Sequence, residues 1–147
     1  MGTRSTTLFI ETYKDESGKQ KKNKIVVMYR QFDGYPSGHG QELAEFLSKG
    51  KLVNGINGMG MDDNIVFNGM GCLTAQVVAH FKDGAGGIYL QTKDKGCWEE
   101  FRYQVIGDFD TKELIIKVFS SYKSKLIFEG TPTEMLNWIE ETEKQNA

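Results

Sequence analysis

The sequence predicts an α+β domain: an N-terminal β-hairpin, two helices, a four-stranded antiparallel meander and a C-terminal helix packed on the sheet. Three observations carry that expectation. Short runs rich in β-branched and aromatic residues, bounded by polar and glycine-containing connections, recur near both ends of the chain. Two stretches between them space their apolar residues at helical period. Finally, Thr131-Pro132-Thr133-Glu134 marks a helix start, with a capping hydroxyl, proline at the first helical position and the carboxylate of a capping box.

One domain, 1–147, is expected, because 147 residues with 39% hydrophobic content can bury a core without disulfides or a structural metal. A net charge of -2 argues against a globally basic nucleic-acid-binding surface, so sequence-specific DNA binding is not expected, although a local patch is compatible with it. Cys72 and Cys97 lack the paired spacing of a zinc or Cys-x-x-Cys site and read as thiols of a reducing compartment, which makes cytoplasm the expected setting. No apolar run approaches the ~20 residues that span a bilayer, and the amino end lacks a signal-peptide core. Met1 to Thr6 fits the loose N-myristoylation consensus, but the segment turns strand-like at once, so no membrane anchoring is expected.

The elements follow in order. Thr6–Tyr13 and Lys24–Arg30 read as the arms of a hairpin, and Lys19, Lys21, Lys22 and Lys24 crowd its tip as solvated charge that discourages edge pairing. Ser37 is placed to cap a helix bearing Leu43, Phe46 and Leu47, which Lys49-Gly50 ends. Ile56–Met61 and Phe67–Cys72 then share the pattern apolar-Asn-Gly-Met-Gly, read as two related glycine turns. A second helix spans about Gly71–Lys82 through Leu73, Val77 and Phe81, with His80 as a cation suited to its end. Ile88–Thr92, Phe101–Ile106, Leu114–Ser120 and Lys125–Glu129 are expected to pair sequentially as the meander. In the last helix, Met135, Leu136 and Ile139 form an apolar stripe, and Glu140 and Lys144 an exposed ion pair.

The candidate site is the loop Tyr29–Glu42, YRQFDGYPSGHGQE, which joins a strand pattern to a helix pattern. It brings a cation at Arg30, a carboxylate at Asp33, a titratable ring at His39 and backbone N–H groups at a helix start near Gly38 and Gly40. Antiparallel register sets Arg4 and Ser5 opposite Gln31 to Asp33, so Arg4 is expected to approach Asp33. That pair either clamps the loop or floors an anion or nucleotide site with Arg30 above it. Tyr29, Phe32 and Tyr35 offer stacking surfaces, with Phe32 the most buried of them. A helix dipole should keep His39 neutral, bonding the loop backbone. With Asn68 and Gly71 of the second glycine turn, the ligand-binding set is Arg4, Ser5, Tyr29, Arg30, Asp33, Tyr35, His39, Gly40, Asn68 and Gly71. No nucleophile with a base, carboxylate pair or metal cluster stands out; Asp62-Asp63 with Asp33 is the nearest approach to a divalent-ion site, and the Gly-x-Gly runs lack a P-loop lysine. No cofactor is implied.

Met1-Gly2-Thr3-Arg4-Ser5, the segment Tyr29 to Gly40 and Phe67-Asn68-Gly69-Met70-Gly71-Cys72 together resemble a group of small uncharacterised proteins of bacteriophages, large DNA viruses and bacteria. The resemblance implies a viral or bacterial setting rather than a mechanism. In that setting the first expectation is a non-catalytic protein that sequesters a small anionic or nucleotide-like host signal. The alternative is an interaction module that inhibits a host enzyme, docking through Tyr35 and His39. A metal-dependent phosphoester enzyme comes third. A homodimer is expected, since a small single-sheet domain often buries a leftover face by two-fold pairing.

Overall fold

The strand-forming runs at the two ends of the chain join a single sheet. A computed structural model describes residues 2–55 and 65–146. In chain order it contains β1 (Ser5–Lys14), β2 (Gln20–Arg30), a π-helical turn (Pro36–Gly40), α1 (Gln41–Ser48), β3 (Gly50–Val53), β4 (Ile65–Asn68), α2 (Gly69–Phe81), β5 (Ile88–Gln91), β6 (Phe101–Asp108), β7 (Leu114–Ser120), β8 (Lys125–Gly130) and α3 (Pro132–Gln145). The first copy of the Asn-Gly-Met-Gly pattern and the Asp62-Asp63 pair lie outside the described residues.

This architecture corrects the predicted hairpin plus four-stranded meander. The six-stranded sheet runs β5-β2-β1-β6-β7-β8, and β3 and β4 make a separate parallel pair. The sheet is mixed, because β1 lies parallel to β6 from Ser5↔Phe101 to Thr12↔Asp108. The reason lies in β1 itself: Leu8, Phe9 and Ile10 are all buried, so both faces of the strand need cover and both edges need a partner. Only β6, β7 and β8 form a meander. β5 instead pairs antiparallel with β2, Arg30↔Ile88 to Val27↔Gln91.

Alternation divides the sheet into two faces. On the helix side, Phe9, Met28, Tyr103, Val105, Ile116 and Val118 pack against Leu43 and Leu47 of α1, Leu73 and Val77 of α2, and Met135 and Ile139 of α3. The other side carries a smaller cluster of Leu8, Ile10 and Val27 with Ile106 against it. The 92–100 connection crosses that back face: Thr6 Oγ1 donates to the Asp94 carbonyl at 2.9 Å, and the Glu100 amide donates to the Arg4 carbonyl at 2.9 Å. Among the described residues, no helix is long and apolar enough to cross a membrane.

Helix starts differ in how they are held. Thr131 caps α3 as the sequence predicts, its Oγ1 accepting from the Glu134 amide at 3.1 Å while Glu134 Oε1 accepts from the Thr131 amide at 2.8 Å. Ser37 does not cap α1. The chain enters that helix through the π-helical turn, with Tyr35 at its N-cap position and no side-chain cap. α2 begins at Gly69 rather than Gly71, and Asn68 before it turns its Oδ1 to the Gly55 amide at 2.7 Å instead of capping.

Because both halves of the capping box are formed, Thr131→Ala should lower stability by ~1 kcal/mol. Urea denaturation followed by circular dichroism measures this, and an unchanged midpoint would show that the box contributes nothing.

Candidate functional site

Arg30, the last residue of β2, organises the loop that follows it. Paired with Ser5 across the sheet, it projects to the helix side, where its guanidinium lies 5.2 Å above the centre of the Phe81 ring at the end of α2. Nη2 is 3.3 Å from Glu42 Oε1 and 4.0 Å from Asp33 Oδ2. Nη1 is 3.2 Å from His39 Nδ1.

His39 is completely buried, with its ring between Phe81 and Tyr103 at centroid distances of 5.0 and 4.9 Å. A guanidinium only donates, so His39 Nδ1 must accept from Arg30. The ring is then neutral with its proton on Nε2, which donates to Thr7 Oγ1 at 2.8 Å. Burial, with the Arg30 charge beside it, holds the His39 pKa down to about 3. The ring is therefore neutral as expected, but desolvation and a neighbouring cation do this rather than a helix dipole. Its partners are side chains of a strand, not the loop backbone. With both nitrogens engaged and no solvent contact, His39 cannot dock a partner or take a proton from a substrate.

The opening arm does lie beside the loop: the Gly34 amide donates to the Thr3 carbonyl at 2.9 Å. Approach is so close that a Cβ on Gly34 would sit 2.8 Å from the Arg4 carbonyl carbon, which only glycine avoids. Tyr103, buried on the same side, donates its hydroxyl to the Gly34 carbonyl at 2.7 Å, and burial pushes its pKa well up. Yet the expected Arg4–Asp33 clamp is not formed. Ser5 pairs with Arg30 on the helix side, so alternation sends Arg4 to the other face, and Arg30 takes Asp33 instead.

Other members of the predicted set also separate. Tyr29 projects to the back face, 6.2 Å from Tyr89. Ser5 is buried with its hydroxyl unpaired. Gly40 is a packing position, where a Cβ would come within 2.9 Å of Met135. Asn68 and Gly71 stand at the opposite end of α2, roughly 18 Å away at ~1.5 Å per residue. The helix-start amides are not free either, because His39 N–H donates to the Asp33 carbonyl at 2.7 Å and Gly38 N–H to the Tyr35 carbonyl at 2.9 Å. No anion hole exists at that helix mouth.

What the loop builds is a cleft of about 210 Å³ lined by Arg30, Phe32, Asp33, Phe81, Asp83 and the Gly86-Gly87 backbone. Phe32 is 52% exposed, the reverse of the burial expected for it, because β2 ends at Arg30 and Phe32 falls on the turn beyond the sheet. Asp33 sits in the left-handed region with φ 59, a conformation Asp tolerates, and presents its carboxylate outward. Tyr35 donates its hydroxyl towards Asp33 Oδ1 at 3.5 Å. Thus Arg30, Asp33, Tyr35 and His39 lie together at the loop, but of these four the cleft takes only Arg30 and Asp33, and Phe81, Asp83 and the Gly86-Gly87 turn join its lining from outside the sequence-derived set. Phe81 is legible in the sequence only as a residue of the helix's apolar face, and Asp83 lies just past the end expected for that helix. Among the described residues, no three His, Cys, Asp or Glu side chains group as a metal site.

The His39 environment fixes a pH dependence. Folded His39 takes its proton near pH 3 and the unfolded chain near 6.5, so the unfolded state binds more protons throughout that window. Stability is full above pH 6.5 and falls as the pH drops towards 3, by on the order of 4 kcal/mol from this group. Urea midpoints taken between pH 7 and pH 4 should show a flatter acid limb for His39→Gln than for the wild type. No family model, curated protein or solved structure matches the chain.

Proposed function

We propose that the chain is a non-catalytic binding protein whose Arg30 cleft holds the base of a nucleotide-like ligand. The observation that carries this reading is the lining itself: the exposed Phe32 ring shares a small cleft with the carboxylates of Asp33 and Asp83. At about 210 Å³ it is below the ~300 Å³ at which sites for whole drug-sized ligands begin, so it suits one ring system. Carboxylates accept from ring and exocyclic N–H groups, and guanine presents two such donors side by side. Arg30 is already engaged by Glu42 and Asp33, so the phosphate is left outside. In the viral or bacterial setting that the resemblance implies, such a protein would sequester a nucleotide signal of the host.

Calorimetry with nucleosides and with linear and cyclic nucleotides tests this. Guanosine should bind about as tightly as its monophosphate, and Asp83→Asn should weaken both by about tenfold, the value of a hydrogen bond to a charged group. Absence of heat with every ligand would end the reading.

A second reading, a protein-docking loop, draws on Tyr35, which is 41% exposed. Its expected outcome is that Tyr35→Ala loses partners that the wild type captures from host lysate. An unchanged set would remove the loop from that role.

A further inference from the structure

A second cleft opens on the α3 side of the same loop. α3 lines it with Trp138, Ile139, Thr142 and Glu143 along one side, and Pro36, Phe101 and Ile127 close it from the π-helical turn, β6 and β8. Its volume is about 250 Å³. Trp138 is held in place by a stacked Phe128 ring 4.9 Å away at 24°. The Thr142 hydroxyl is spent on the Trp138 carbonyl at 2.8 Å, and Ser37 and Asn146 add only neutral groups, so these do not define the polar chemistry of the rim.

Charge does. Glu143 is exposed and is the one formal charge among the described lining residues. Lys144 beside it is turned to Glu140 at 3.4 Å and does not neutralise it. The rim also lies in the last turn of a 14-residue helix, where carbonyls concentrate partial negative charge. An apolar, aromatic floor below a negative rim matches a molecule with a hydrophobic body and a cationic head.

We propose that this cleft binds a small organic cation of the arylalkyl- or alkylammonium class, its apolar body against Trp138 and Ile139 and its ammonium group at Glu143. The site is separate from the Arg30 cleft, shares no lining residue with it and does not depend on the base-binding reading. Glu143 is exposed, so replacing it leaves the core intact.

The test uses phenethylammonium as the probe, with 2-phenylethanol and 3-phenylpropionate as neutral and anionic counterparts, read through the Trp138 indole N–H resonance. Phenethylammonium should shift that resonance saturably with a Kd at or below about 1 mM, a reasonable ligand efficiency for so small a molecule, and leave Trp98 in place. 3-Phenylpropionate should bind roughly tenfold more weakly. Glu143→Gln should weaken phenethylammonium about threefold, to the level of the alcohol. Equal affinity for all three probes, no saturable shift of Trp138, or an unaltered Kd in Glu143→Gln would each overturn the proposal.

Discussion

Strand β1 has no solvated side over its first half: Ser5, Thr6, Thr7, Leu8, Phe9 and Ile10 are buried in succession. A backbone so enclosed has to hydrogen-bond along both edges, and β2 and β6 supply those edges, one antiparallel and one parallel. The helices cover one face and the 92–100 connection crosses the other. Both candidate clefts inherit their positions from this arrangement, because the loop after β2 must turn over the start of β1, with Phe101 of β6 on its far flank and Gly86-Gly87 of the β5 entry on its near one.

At that turn, polar groups are buried beneath the loop and almost all are satisfied. Thr7, His39 and Arg30 form a chain of donors and acceptors whose direction is set by the guanidinium, and Tyr103 ties the loop backbone to β6. The same chain decides the chemistry of the surface above. Arg30 is held by an imidazole, an aromatic ring and two carboxylates, so its charge is compensated inside the protein. A loop that on composition resembles an anion site thus presents acids and an aromatic ring instead.

Some local signals are legible because a short segment contains its own cause, although the equally local Ser37 does not cap α1. The capping box of α3 is one case, since hydroxyl, proline and carboxylate act within a single turn. The placement of the opening arm beside the loop is another, although the register itself differs: a shift between Phe9 and Ile10 leaves Ser5 opposite Arg30 and not opposite Gln31 to Asp33. Errors arose where the partner is distant. Sequential pairing of the expected strand Ile88–Thr92 with the next one fails because the connection that follows carries the chain across two strands, which no local pattern records. Proximity along the register points Arg4 at Asp33, although face alternation separates them.

From the sequence alone followed which six segments extend in the main sheet, where the best-marked helix begins, and that the Tyr29–Glu42 loop gathers a cation, an acid and a histidine, whereas β3 and β4 fall on stretches that read as a helix stop and a glycine turn; the legible features depend on neighbours within a few residues. Tertiary structure decided that β1 is an interior strand, that His39 is a neutral internal strut, and that Phe81, Asp83 and two glycines complete the cleft. Those outcomes depend on groups brought together from separate elements, where burial and an adjacent charge outweigh intrinsic preference. The physical reason is that hydrogen-bond satisfaction and desolvation belong to the assembled interior, whereas propensity and capping belong to the chain.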